Sequence, residues 1–128
     1  MEQNKRKIVL CEDEKFVARS FVRKLTLEGY EVILVSNGNE AMATLVAEKP
    51  NLIILDLMMP GRTGFEVLQD IRASTDEDIK KIPVIVASNL GQKSDIETAR
   101  SLGAVDFLIK SNISLKELAE KVREHLPI

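Results

Sequence analysis

Tryptophan is absent from this chain, and cysteine, histidine and tyrosine occur once each. A single cysteine, Cys11, excludes an internal disulfide and reads as a small buried thiol in a reducing cytosol. A single histidine, His125, has no second histidine with which to build a metal site. Close to the expected end of the last helix, it reads as a surface side chain suited to the negative helix terminus. The lone tyrosine and the 4 phenylalanines are scattered, which leaves no aromatic platform for stacking bases. With 18 basic and 20 acidic residues the net charge is -2, so there is no basic excess to attract nucleic acid directly. No apolar run approaches the roughly 20 residues of a membrane span. The polar residues 1–7 and the short apolar stretch after them do not make a signal peptide. A cytoplasmic protein with no direct nucleic-acid or membrane partner is expected. At 128 residues the chain suits one domain, 1–128, without room for a second, output domain.

What is present is organised around one stretch. Leu52, Ile53, Ile54 and Leu55 are consecutive apolar residues, the pattern of a strand buried on both faces of a parallel sheet. Asp56 follows at once, and Pro60, Gly61 and Gly64 permit a tight turn into the next helix. One carboxylate is thus fixed at the end of a rigid strand, beside a loop.

The rest of the chain repeats the alternation. Strands are expected at 8–11, 31–35, 52–55, 83–87 and 105–109. Helices are expected over 15–28, closed by Gly29, over 40–48, stopped by Pro50, and around Phe65, Leu68 and Ile71. A fourth helix is expected over 95–102 and a fifth along Leu115, Leu118, Val122 and Leu126. Residues 73–81 are polar and acidic and read as a surface loop. Five strand–helix units predict a doubly wound (βα)5 domain of the α/β class with a five-stranded parallel sheet. The order 2-1-3-4-5 puts the first and third strands side by side at the switch point, where ligands bind beyond the carboxyl ends. Glu12, Asp13 and Asp56 then share one cleft.

Three adjacent carboxylates repel one another unless a cation sits among them, and a hard ion such as Mg²⁺ suits their oxygens. Ser88 ends the fourth strand and Lys110 the fifth, on the same rim. A metal site, a hydroxyl and a compact ammonium around one aspartate suit a phosphoryl group, whose oxygens need neutralising and hydrogen bonding.

With Glu12–Asp13, Asp56 followed by Leu57, Met58, Met59, Pro60 and Gly61, then Ser88, Phe107 and Lys110, the chain resembles the receiver domains of response regulators. It is similar to the single-domain chemotaxis regulators, with their flavodoxin-like fold, over nearly its whole length. The resemblance implies that Asp56 is the phosphoacceptor. It implies that Glu12, Asp13, Asp56 and the Met58 carbonyl serve Mg²⁺, Glu12 mainly through bound water. Ser88 and Lys110 are expected on the phosphoryl oxygens, and Phe107 is expected to change rotamer as Ser88 moves. Met58 and Leu90 occupy the positions that tune the lifetime of the phosphorylated state. The family usually has proline after the lysine, often through a cis bond; here the residue is Ser111.

The function expected is that of a phosphorylation-dependent switch in a two-component phosphorelay. A histidine kinase or phosphotransfer protein is the donor. A downstream protein or a second copy would read the fourth helix, fifth strand and fifth helix. The domain is expected to assist its own Mg²⁺-dependent phosphorylation and dephosphorylation rather than to turn over an external substrate. A phosphohydrolase of the haloacid-dehalogenase type would need a second aspartate two residues after the nucleophile, where this chain has Met58. A pure interaction module would not need the full set of Glu12, Asp13, Asp56, Ser88 and Lys110.

Overall fold

The computed structural model of the protein describes residues 5–128. Its strands are β1 (Lys7–Cys11), β2 (Glu31–Val35), β3 (Leu52–Leu55), β4 (Val84–Ser88) and β5 (Asp106–Ile109). They form one parallel sheet in the order β2-β1-β3-β4-β5, as the alternation predicts. Every residue of the central strands β3 and β4 is buried, whereas the edge strands β2 and β5 are mostly half-exposed. That contrast is the signature of a sheet covered on both faces.

Strand alternation divides the core in two. Ile8, Leu10, Ile54 and Ile85 point to one face, where α1 (Lys15–Leu27) supplies Phe21 and Leu25 and α6 (Leu115–His125) supplies Leu118 and Val122. Val9, Ile53, Leu55 and Val86 point to the other, against Leu45 of α2 (Ala41–Glu48), Leu68 and Ile71 of α3 (Gly64–Arg72), and Ala99 of α5 (Lys93–Ser101). Each fully buried side chain of this size contributes roughly 1.5–3 kcal/mol relative to exposure. Strand β3, buried throughout, is therefore a stiff support for whatever follows it.

The segment at 73–81 is not wholly a loop. Glu77–Lys80 forms a single helical turn, α4, whose N-cap Asp76 accepts the backbone N–H of Asp78 at 2.9 Å. Ile79 lies on its inner side with 0 % exposure. One buried isoleucine and a cap suffice to turn a polar stretch inward; the acidic composition around them hides both signals. The helix expected as the fourth is consequently α5, and it starts at Lys93, two residues before the expected 95. The last helix is α6. Gly29 closes α1 as expected, with φ of 104° in the left-handed region that favours glycine. The single tyrosine has a structural partner: Tyr30 is buried and donates its hydroxyl to the Leu126 carbonyl at 2.6 Å, tying the start of β2 to the end of α6.

Candidate functional site

The acidic residues are placed by backbone hydrogen bonds that continue the sheet one residue beyond its strands. The Glu12 N–H donates to the Val35 carbonyl at 2.9 Å, and the Asp56 N–H donates to the Cys11 carbonyl at 3.0 Å. The two side chains therefore leave the carboxyl edge from neighbouring strands. Behind Asp56 the chain turns into α3 at close quarters. A Cβ on Gly64 would stand 2.2 Å from the Asp56 carbonyl oxygen, so only glycine fits there. The capping box of Thr63 and Glu66 then fixes where α3 begins.

Lys110 joins the two acids. Its Nζ lies 2.7 Å from Glu12 Oε1 and 2.8 Å from Asp56 Oδ2. All three side chains are nearly out of water, at 7 %, 2 % and 5 % exposure for Lys110, Glu12 and Asp56. The other oxygens are also occupied: Glu12 Oε2 accepts the Glu14 N–H at 3.0 Å, and Asp56 Oδ1 accepts the Met58 N–H at 3.1 Å. Burial pushes the Glu12 carboxyl above its ordinary range, and the hydrogen bonds from Lys110 and Glu14 offset that only in part. Burial works to lower the Lys110 pKa, but hydrogen bonds and attraction from Asp56 and Glu12 prevail and hold the ammonium above its usual range.

Asp13 is exposed, yet one of its carboxylate oxygens lies within 4.8 Å of an oxygen from Glu12 and one from Asp56. Three carboxylates thus face one ammonium. The excess negative charge and the all-oxygen donor set fit a hard divalent cation. Glu12, Asp13, Asp56, Met58, Ser88, Leu90 and Lys110 all line one cleft of about 330 Å³. Ser88 is buried, and its Oγ accepts the Leu90 N–H at 3.3 Å. Met58 stands at the mouth, 61 % exposed.

Phe107 is not in this cleft. It packs half-buried against the α3–α5 core and lines a separate groove of about 270 Å³ between β5 and α6. Asn89, which the sequence did not single out, lines the cleft and accepts the Ser111 N–H at 2.9 Å. A proline after Lys110 could not make that bond, so the replacement of proline by Ser111 was the available signal. The Lys110–Ser111 peptide is trans. His125 is not a free terminal side chain: it is half-buried, with Nε2 3.1 Å from Asp106 Oδ2. Cys11 is buried, and burial pushes its thiol up to about 12, so it is inert.

A family model, the response regulator receiver domain, matches residues 8–123. The chain belongs to that family, the receiver domains of two-component signalling. A probable transcriptional regulator, ycf27, of Cyanophora paradoxa is 39% identical over 98% of this chain, which aligns with 50% of the relative. The chain thus spans about half the length of this relative. Among solved structures, the phosphorylated cyanobacterial phytochrome response regulator RcpA superposes with a TM-score of 0.85, at 33% identity over 97% of this chain and 96% of that one. The Mn²⁺-bound form of response regulator Rcp1 superposes with a TM-score of 0.83, at 28% identity over 96% of each chain. Among the described residues no helix is long and apolar enough to cross a membrane.

Proposed function

We propose that residues 1–128 act as one cytoplasmic phosphoacceptor domain, taking a phosphoryl group on Asp56 from a histidine kinase or phosphotransfer protein. In the transfer, a carboxylate oxygen of Asp56 forms the new bond to phosphorus as the donor's nitrogen–phosphorus bond breaks, and the imidazole leaves with the electron pair. The observation that carries the reading is the hold on Asp56: Lys110 on Oδ2, the Met58 N–H on Oδ1, and a buried strand behind it. Such fixed positioning and charge supply most of what phosphoryl transfer needs.

Each side chain then has a task. Lys110 exchanges part of its contact with Asp56 for a phosphoryl oxygen, keeping Glu12 as its second partner. Ser88 gives up its loop contact with Leu90 and donates its hydroxyl to another phosphoryl oxygen. Glu12, Asp13, Asp56 and the Met58 carbonyl would hold Mg²⁺, which when bound supplies charge neutralisation for the transferred group. The Mn²⁺-bound and phosphorylated relatives support both assignments by similarity. Movement of Ser88 and Phe107 carries the change to α5, β5 and α6, where a downstream protein or a second copy binds.

Intact mass after incubation with acetyl phosphate tests the reading. One phosphoryl group is expected in the presence of Mg²⁺ and none in Asp56→Asn or in excess chelator. Efficient labelling of Asp56→Asn would remove Asp56 as the acceptor. Lifetime is set, in this reading, by Met58 and Leu90, which line the cleft without a side-chain group able to orient water by a strong hydrogen bond. Met58→Asn combined with Leu90→Glu is expected to speed decay about tenfold, which needs only about 1.4 kcal/mol off the barrier. Equal decay of parent and double variant after donor removal would discard that role.

A further inference from the structure

A second convergence of ligand-bearing side chains lies at the other end of β5. Asp106, Glu124 and His125 each offer one donor atom, and these atoms all lie within 4.8 Å of one another. Asp106 opens β5 and is half-buried; Glu124 and His125 close α6. We propose that Asp106, Glu124 and His125 form a binding site for a borderline divalent metal ion, Zn²⁺ by preference, that fastens the end of α6 to the start of β5.

The donor set distinguishes this site from the acidic cleft. An imidazole nitrogen with two carboxylate oxygens suits zinc, whereas oxygen donors alone suit magnesium. The spacing is already close to what a shared ion requires. His125 Nε2 and Asp106 Oδ2 are 3.1 Å apart, and two ligands about 2.0–2.1 Å from a tetrahedral zinc ion stand roughly 3.3 Å apart. Asp106 is oriented in advance, because its Oδ1 accepts the Phe107 N–H at 2.9 Å and leaves Oδ2 facing His125. A cation already marks the place. The Lys121 ammonium lies 3.7 Å from Asp106 Oδ2 and 3.7 Å from Glu124 Oε2. Its side chain is 41% exposed, so it can swing into solvent and yield the position. An ion held there fixes the residue next to Phe107 and joins the two elements that flank the β5–α6 groove.

Calorimetric titration of Zn²⁺ into the full chain in excess Mg²⁺ is the test. One zinc ion per chain is expected, with amide shifts centred on residues 105–107 and 121–126 rather than on 12–14 and 56–58. His125→Gln and Asp106→Asn should each weaken binding about tenfold or more, since even groups that merely support a ligand are worth roughly that much. Lys121→Ala should strengthen it by removing the competing ammonium. Circular dichroism without metal establishes that the variants are folded. His125→Gln, at the last helical residue, decides the matter if Asp106→Asn is not. Absence of zinc uptake, uptake unaffected by His125→Gln, or shifts centred on the acidic cleft would overturn the proposal.

Discussion

Two groups of charged side chains stand at the two ends of β5, alike in composition and unlike in their access to water. At the carboxyl end Lys110 bridges Glu12 and Asp56, and none of the three side chains is more than 7 % exposed. At the amino end Asp106 meets His125 and Lys121, with side-chain exposures of 19%, 24% and 41%. Solvent decides what each contact is worth. Removing one partner from a buried pair strands a charge in a medium that cannot solvate it. Removing a partner from an exposed pair returns it to water, and the loss is small and screened by salt.

The largest effect expected is from Lys110→Met, which keeps the bulk of the side chain and deletes its charge. Glu12 and Asp56 are then two buried carboxylates without a cation. We expect a loss of about 3 kcal/mol in urea unfolding at neutral pH without divalent ions, and partial recovery on adding Mg²⁺. The pH dependence has a definite sign. Because the folded state holds the Lys110 proton more tightly than the unfolded chain, its contribution is complete below the ordinary lysine value of 10.5 and disappears as pH rises through the higher folded pKa. Glu12, raised above 4.5, acts against the fold once ionised, so acidification toward its folded pKa relieves part of the cost of deleting Lys110. A Lys110→Met protein as stable as its parent at pH 7 in chelator would contradict the distinction between the two ends.

Asp106→Asn should have an intermediate effect. Burial pushes the Asp106 carboxyl up, but His125, the Phe107 N–H and Lys121 outweigh it and lower the pKa below 3.8. The stabilisation is therefore present above 3.8 and is lost as pH falls through the folded value. We expect a cost of about 1 kcal/mol at neutral pH for this partly exposed group. The difference from the parent should shrink in high salt and disappear in acid. A cost that persists unchanged in acid would show that the side chain acts by packing rather than by charge.

The two ends also differ in how far they can be read from the sequence. The three charged residues that meet in the carboxyl-end cleft are each announced by an interrupted pattern: Asp56 after an apolar run, Glu12 after Cys11, Lys110 after Ile109. Strand ends converge in a parallel sheet by topology alone, so once the order is inferred the neighbours follow. The amino-end cluster has no such signature. Asp106 alternates with apolar residues as any edge-strand residue does, and His125 is one polar residue in a charged helix. Their meeting depends on how α6 packs across β5, which periodicity does not specify. The same limit hid Ile79 inside an acidic stretch and Asn89 beside Ser111, both settled by tertiary contacts rather than local pattern.

The smallest expected effect provides the control for the first. Lys121→Met is the same chemical change as Lys110→Met, made at the other end of β5. Lys121 contacts two carboxylates, as Lys110 does, but at 3.7 Å rather than below 3 Å, and with its side chain 41% exposed. Water takes over the solvation of Asp106 and Glu124 when the ammonium is removed, and His125 remains on Asp106 Oδ2. The long side chain also regains none of the rotamer freedom that a tightly held lysine would lose, because it is loosely held to begin with. We expect a change within about 0.5 kcal/mol, smaller still in high salt, measured by urea unfolding under the conditions used for Lys110→Met. If the two lysine variants lost stability equally, burial would not be what separates these clusters, and the two short contacts of Lys110 at the carboxyl end would have to be explained by geometry alone.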